Sequence, residues 1–442
     1  MLSSARKLKQ RAIGKALSYP SVDKVLYKAG GLDLLTHLYL ETIETDLCVP
    51  GKDTILCASR LHFARDIDRL RHEVSEFNWV CLSEFVLGRI QKVWVPYERR
   101  KQTEYNLVGT YLGEGDPYNI STDLSTRIIK AIDKKYPIKA ILGANIDYWQ
   151  SEGLRRACKP LRIPFLALCR EAETIPGTYE ALVDNYKKIN YKYTGEGVAV
   201  FNERTRQGLI ESGSCRPDQI VVTGAPRFDP WLENFKKPGL PSADRKLITL
   251  LSYFSPLYFA QKNFFEVVSI LSSLREDASA QGLSIKLKCK GKTDSKDIQA
   301  YFNERDMKSC GVNFSWESDL LPVFNQSRII IGFNSLAIIE AIFSNAIVII
   351  PQWSDAVGDV NMQNINPQDP LAQKIYYFAH SAEEFKDLVT RAIYNELPPK
   401  EATCEDKIAF VNYYFSVDKD MKASRRVYDF IRSFIDRYHA AA

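Results

Sequence analysis

Short apolar runs alternate along this chain with longer stretches whose apolar positions recur at helical spacing. The first clear run is Thr54–Ala58, followed by a charged helical stretch from His62 to Glu76 and a second run at Asn78–Leu82. Val93–Val95 is a further short run, and Tyr105–Leu112 fits no single period. A helix is predicted over Thr122–Lys134, capped by Ser121 or Thr122, and then a strand at Lys139–Leu142 that ends in Gly143-Ala144-Asn145. The next helix runs to Lys159, where Pro160 is expected to stop it. Strands follow at Pro164–Leu168, Gly197–Phe201 and Gln219–Thr223, with a helix over Asn202–Ser212 ended by Gly213. Strands that alternate with helices over this length predict a parallel sheet covered on both faces.

Lys236-Lys237-Pro238-Gly239-Leu240-Pro241 has the composition of a linker. Beyond it the alternation restarts, with a strand at Lys246–Leu251, a helix over Phe264–Ala280 and a strand at Ser284–Cys289. A short strand at Asn313–Trp316 and a helix over Leu320–Gln326 come next. A helix over Ser381–Tyr394, capped by Ser381, and an amphipathic helix over Lys422–Tyr438 complete the pattern. The expected organisation is α/β. Residues 1–237 and 238–415 form two Rossmann-like domains, and 416–442 carry a C-terminal amphipathic helix. Two such halves would face each other across a cleft lined by the carboxyl ends of their strands, where ligands bind.

The stretch Arg328–Trp353, RIIIGFNSLAIIEAIFSNAIVIIPQW, holds the sharpest signal. An apolar run breaks at Gly332, Asn334-Ser335 opens an Ala/Ile-rich helix, and a second apolar run ends at Pro351. It reads as a βαβ unit with buried parallel strands. Polar residues interrupt it too often for a membrane span. Asn334 or Ser335 can cap the helix, whose free N–H groups suit a phosphate. Glu340 in so apolar a helix needs a polar partner, either a ribose diol or a lysine.

At 442 residues the chain is too long for one ordinary core. Its 45% hydrophobic and 26% charged residues are those of a soluble globular protein. A net charge of +5 without long runs of one sign argues against nucleic acid as a partner, while suiting anionic lipids or substrates. The nine cysteines include no CxxC pair, which reads as reduced thiols in the cytosol. The five histidines show no metal-ligand spacing. The segment MLSSARKLKQRAIGKALSYP is basic and amphipathic but lacks the apolar core of a signal peptide. It suits either a surface helix or peripheral contact with a membrane.

Four turns of the second half converge on an expected nucleotide site. Ser252 and Ser255 supply hydroxyls after one strand, and Lys286, Lys288 and Lys290 alternate along another, followed by Lys292. Gly332, Asn334, Ser335 and Glu340 form the third group, and Trp353 either stacks on a base or packs. In the first half, Glu171 and Glu173 follow a buried-looking strand, where they suit acid–base work or an ion pair with Arg170. Thr223-Gly224-Ala225-Pro226-Arg227-Phe228-Asp229 is a rigid turn. Asp229 there is either a carboxylate nucleophile or the group that holds Arg227.

The run Ala199–Asp229, AVFNERTRQGLIESGSCRPDQIVVTGAPRFD, resembles the segment that closes the N-terminal domain in bacterial surface-polysaccharide glycosyltransferases of the GT-B type. GFNSLAIIEAI is similar to their nucleotide-binding turn and helix. Asp418–Arg425, DKDMKASR, resembles their D-G-x-A-S-x-R, with Asp420 where Gly is usual. The likeness runs from about Pro160 to the C-terminus and is patchy before it. Within that class the chain looks most like the retaining β-Kdo transferases of lipopolysaccharide and capsule assembly.

This resemblance implies a GT-B fold, a CMP-Kdo donor and no metal or other cofactor. It also implies double displacement through Asp229, assisted by Glu171 or Glu173. The acceptor would be a lipid-linked saccharide or lipopolysaccharide, at the inner face of the cytoplasmic membrane. Lys288–Lys292 stands where some cytidylyl-sugar transferases carry a His-Pro turn, so the donor stays open. CDP-glycerol glycerophosphotransferases, inverting GT-B transferases and a non-catalytic sugar-nucleotide-binding module are the alternatives; UDP-sugar 2-epimerases share the architecture but would call for more cleft carboxylates and histidines than the sequence places.

Overall fold

The structure is a computed structural model. It describes residues 20–45, 48–58, 64–82, 119–148, 151–169, 176–235, 244–252, 261–289, 313–315, 319–333, 335–358, 363–398, 400–418 and 420–440, with isolated positions elsewhere. The expected run at Val93–Val95, the stretch Tyr105–Leu112 and the linker Lys236–Pro241 lie outside the described residues.

The chain divides into two compact units. The first comprises Met1–Thr174, Tyr179–Asp229 and Tyr413–Ala442; the second comprises Ile175–Thr178 and Pro230–Asn412. The chain therefore passes from the first unit to the second after Asp229, ahead of the linker composition that suggested a boundary at 237. The C-terminal residues belong to the first unit.

The first unit is built on strands β1 (Glu44–Thr45), β2 (Thr54–Ala58), β3 (Asn78–Leu82), β4 (Ile138–Ala144), β5 (Phe165–Leu168), β6 (Gly197–Val200) and β7 (Ile220–Val222). They lie in the order β1-β3-β2-β4-β5-β6-β7, parallel except for β1. Every residue of β2 and β3 is buried, as expected of a parallel sheet covered on both faces. Its helices are α1 (Pro20–Leu40), α2 (Ala64–Glu73), α3 (Asn119–Asp133), α4 (Glu152–Leu161), α5 (Pro176–Lys188) and α6 (Glu203–Glu211).

Alternate strand residues feed two different cores. Leu56, Val80 and Ile141 point into a layer shared with Leu35, Leu124 and Leu154 of α1, α3 and α4. Ile55, Trp79 and Leu142 point the other way, against Ile67 and Leu70 of α2.

The second unit begins within α7 (Asp229–Phe235) and carries β8 (Leu247–Leu251), α8 (Gln261–Ser273), α9 (Arg275–Ala280), β9 (Ser284–Lys288), β10 (Asn313–Ser315) and α10 (Leu321–Gln326). There follow β11 (Ser327–Ile331), α11 (Leu336–Ala341), β12 (Ile347–Pro351), α12 (Pro370–Ile375), β13 (Tyr377–Ala379), α13 (Ala382–Ile393) and α14 (Cys404–Phe415), whose end re-enters the first unit. The strands are all parallel, in the order β10-β9-β8-β11-β12-β13.

The last helix, α15 (Ala423–Ala440), returns to the first sheet. Val427, Phe430, Ile431, Phe434 and Ile435 form its apolar stripe and join the layer under Trp79 and Leu142. Burying these five side chains contributes on the order of 10 kcal/mol as an upper figure. The amphipathic pattern of the tail thus belongs to a core layer.

Two helices differ from the sequence expectation. Pro160 does not stop α4, which runs on to Leu161 and ends at Arg162 in the left-handed conformation (φ 55°). A proline this near the C-terminus forfeits only one amide donor, and Ile163 still donates to the Cys158 carbonyl (3.1 Å). The continuous helix expected over Phe264–Ala280 is broken at Leu274 into α8 and α9.

Candidate functional site

In the second sheet β8 lies between β9 and β11, so successive connections leave it in opposite directions. The carboxyl ends of β8 and β11 therefore flank the topological switch point, where doubly wound sheets open a ligand crevice. Several of the sequence-predicted residues lie at or just beyond these strand ends. Ser252 follows β8 directly, and its N–H donates to the Lys288 carbonyl at the end of β9 (2.9 Å). Lys288 is 7% exposed, with its ammonium donating to the Cys289 carbonyl. Gly332 follows β11, and a Cβ there would stand 2.3 Å from Ile338 Cδ1. The glycine lets α11 fold back tightly on its own strand.

Ser335 caps α11, its hydroxyl accepting the Ala337 N–H (3.3 Å). Glu340 is half-buried with Leu336 and Ala337, one turn further along the helix, while Ile338, Ile339 and Ala341 enter the core. Lys286 is half-buried on β9. Ser255, Lys290, Lys292 and Asn334 lie outside the described residues.

The start of α8, the helix after β8, is already occupied. Both oxygens of Asp355 accept from it, one from the Lys262 N–H (2.7 Å) and one from the Asn263 N–H (2.8 Å). Asn263 is fully buried and donates to the Trp353 carbonyl (3.0 Å). Trp353 itself is 9% exposed, donates to Glu266 (2.9 Å) and packs on Phe385 with ring centroids 5.6 Å apart. Of the two roles open to Trp353, packing is the one observed. Asp355 had no local signal in the sequence, because its partners lie some ninety residues away. The start of α8 is thus taken by a carboxylate of its own unit.

In the first unit, the turn Thr223–Asp229 is held from two sides. Gly224 takes φ 70°, and Pro226 opens a single turn of 3-10 helix through Phe228. The Arg227 N–H and guanidinium both donate to Asp66, each at 3.0 Å. Asp66 is fully buried in the first turn of α2. The guanidinium also lies over the rings of Phe201 and Phe228, 4.7 and 4.9 Å from their centroids. Asp66, and not Asp229, therefore holds Arg227.

Asp229 is 1% exposed, and its two oxygens accept the backbone N–H groups of Ala423 (2.8 Å) and Ser424 (3.0 Å). This is a carboxylate cap on the first turn of α15. Burial pushes its pKa up, against the opposing hydrogen bonds from Ser424 and Ala423. The two segments that carried much of the resemblance, 223–229 and 418–425, thus meet in one joint. Glu171 and Glu173 lie outside the described residues.

Beside this joint, Lys422 pairs with Glu73 (2.7 Å), which also meets Arg69 (2.9 Å). Burial works against ionisation of Glu73, but the Lys422 hydrogen bond and the charges of Arg69 and Lys422 outweigh it, and the pKa falls below its ordinary value. A lowered folded-state value gives stabilisation that is present above the unfolded-state pKa and lost as pH falls through the folded-state one. The difference in melting temperature between wild type and Glu73→Gln should therefore narrow as the pH drops below about 4.3. A difference that stays constant from neutral to acid pH would contradict this account.

One carboxylate at a strand end escaped the sequence reading. Asp147 follows β4, the strand beside β2 at the first sheet's own switch point, and accepts from the Tyr186 hydroxyl (3.0 Å). Asn145 just before it takes a left-handed φ of 51°. Only that Gly-Ala-Asn turn marked the place. Among the described residues no group of histidine, cysteine and carboxylate side chains could hold a metal ion. No helix among them is long and apolar enough to cross a membrane.

No protein-family model matches the chain, and no curated protein matches it at a significant level. Solved structures do. A glycosyltransferase from Rickettsia africae superimposes with a TM-score of 0.50 at 14% identity, covering 87% of this chain and 99% of that one. A putative UDP-N-acetylglucosamine 2-epimerase from Listeria monocytogenes gives a TM-score of 0.47 at 12% identity, covering 88% and 97%. A UDP-forming trehalose-phosphate synthase from Burkholderia vietnamiensis gives 0.47 at 11%, covering 88% and 99%. At such identities the first likeness speaks for the fold. The chain is an α/β protein with two Rossmann-like domains in the GT-B architecture.

Proposed function

We propose that this chain is a glycosyltransferase that takes its sugar from a nucleotide donor bound at the carboxyl end of the second sheet. What supports the reading is that Ser252, Lys288 and Gly332 stand at the strand ends beside the β8/β11 switch point, with Ser335 and Glu340 on the helix that follows β11. Each supplies what one part of a nucleotide sugar needs. The Lys288 ammonium and the amides at the start of α11 offset phosphate charge. The Glu340 carboxylate accepts from a ribose diol. Stabilising the leaving phosphate in this way lowers the barrier to breaking the anomeric bond, without a metal.

The sequence resemblance adds a finer reading: a CMP-Kdo donor, a lipid-linked or lipopolysaccharide acceptor at the inner membrane face, and retention through an Asp229 adduct. We keep CMP-Kdo as the first donor to try. The adduct receives no support from the geometry, since both Asp229 oxygens already accept backbone amides of α15.

A thermal-shift comparison of CMP, CDP, UDP and GDP tests the site. One nucleotide at a hundredfold excess over its Kd should raise the melting temperature of the second unit by roughly 5–10 °C. Glu340→Gln should weaken that nucleotide about tenfold, the loss of one charge-assisted hydrogen-bond acceptor. If no nucleotide shifts the melt, the donor site is wrong. If a nucleotide shifts it but no sugar nucleotide or CDP-glycerol is turned over, the chain is a binding module.

A further inference from the structure

The first unit carries a pocket of about 470 Å³ at the opposite end of its sheet from the strand carboxyl ends. Two turns form its walls. Cys48–Asp53 leads into β2, and Lys135–Pro137 leads into β4, while Asn78 opens β3 on the other side of β2. Both turns are fixed from inside the protein. Asn78 is buried; it accepts the Val49 N–H (2.8 Å) and donates to the Val49 and Lys52 carbonyls (each 3.0 Å). Asp133 accepts the Ile138 N–H (2.7 Å), which sets the second turn. The pocket is therefore shaped before any ligand arrives, so binding need not order its walls.

Its charge is one-sided. Lys52, Lys135 and Lys139 line it, against the single carboxylate of Asp53. Asp53 is already paired with Arg432. Lys52 donates to the Ser75 carbonyl (2.6 Å) and lies near the Glu76 carboxylate, which is itself paired with Arg425, and Lys135 lies over the Tyr136 ring at 5.0 Å. Among the described residues, neither Lys135 nor Lys139 has a carboxylate partner. Three lysines lining one concave space, with the nearby carboxylates Asp53 and Glu76 each paired with an arginine, suit an anion.

We infer that this pocket binds a phosphate ester of a small polyol, seated on Lys52, Lys135 and Lys139. The volume exceeds that of a bare phosphate and falls in the range of small-ligand sites. Such an ester occurs free or as the headgroup of an anionic lipid. Val49 at the rim is 46% exposed, an apolar neighbour suited to the lipid form. The inference does not depend on the donor site, which lies in the other unit.

Two probes separate the sources: sn-glycerol 3-phosphate in calorimetry, and vesicles of phosphatidylglycerol or phosphatidylcholine in flotation. Lys135→Glu and Lys139→Gln are compared with Lys386→Glu, an exposed lysine of the second unit, after thermal melts confirm that all three fold. The expected result is saturable binding that falls about tenfold in both pocket variants and stays unchanged in the third. Seen with the free ester, it assigns a soluble ligand. Seen with phosphatidylglycerol vesicles alone, it assigns a lipid headgroup. Absence of binding to both probes, binding that the pocket variants leave intact, or an equal loss in Lys386→Glu would overturn the proposal.

Discussion

Asp229→Ala is expected to destabilise the first unit by roughly 3 kcal/mol, the effect of orphaning two buried amides at the start of α15. Asp229→Asn keeps one good acceptor of the same size and should cost about 1 kcal/mol. Urea unfolding followed by circular dichroism reads both. Because the chain has two units, two transitions are expected, and only the first unit's should move. The outcome separates two accounts of this carboxylate. A cap loses stability in proportion to the amides left unpaired. A nucleophile loses turnover while the urea midpoint of Asp229→Ala stays put, and an unchanged midpoint would refute the cap.

Gly224→Ala should be comparably severe, at roughly 3 kcal/mol or more. Two effects add. The left-handed backbone at φ 70° penalises any L side chain by about 1 kcal/mol. A Cβ there would also stand 2.8 Å from the Phe415 carbonyl oxygen and 3.1 Å from that of Ser416, and backbone cannot swing aside as a side-chain tip can. Gly282→Ala isolates the first effect. It has φ 66° with nothing within 4 Å of the added carbon, and should cost about 1 kcal/mol. Equal losses at the two glycines would show that the contact with residues 415–416 contributes nothing. Gly224 and Asp229 anchor the same joint, so their double variant should lose less than the sum of the singles.

What could be read from the sequence was what is local. The β2 and β3 runs were recognisable because four consecutive apolar residues after one polar residue, buried on both sides, leave few other structures. Ser381 was readable as a cap because it bonds an amide three residues on. The stiffness of Gly224–Pro226 was legible for the same reason. Its purpose was not, because the groups it serves lie 161 residues away at Asp66 and about 195 away at Ala423 and Ser424. Periodicity names the apolar stripe of α15 but not the surface that receives it. Trp353 shows the same limit, since an indole that stacks on a base and one that packs on a phenylalanine leave the same letter.

The route of the chain has a consequence during synthesis. Apart from Ile175–Thr178, the second unit is one continuous segment, whereas the first is completed only when Tyr413–Ala442 has been made. Until then the face of the first sheet carrying Trp79 and Leu142 lacks the stripe from Val427 to Ile435 that covers it. At ordinary translation rates that face waits roughly ten to forty seconds while residues 230–412 emerge. The half begun first is the half finished last, and in that interval its exposed apolar layer is a natural substrate for a chaperone.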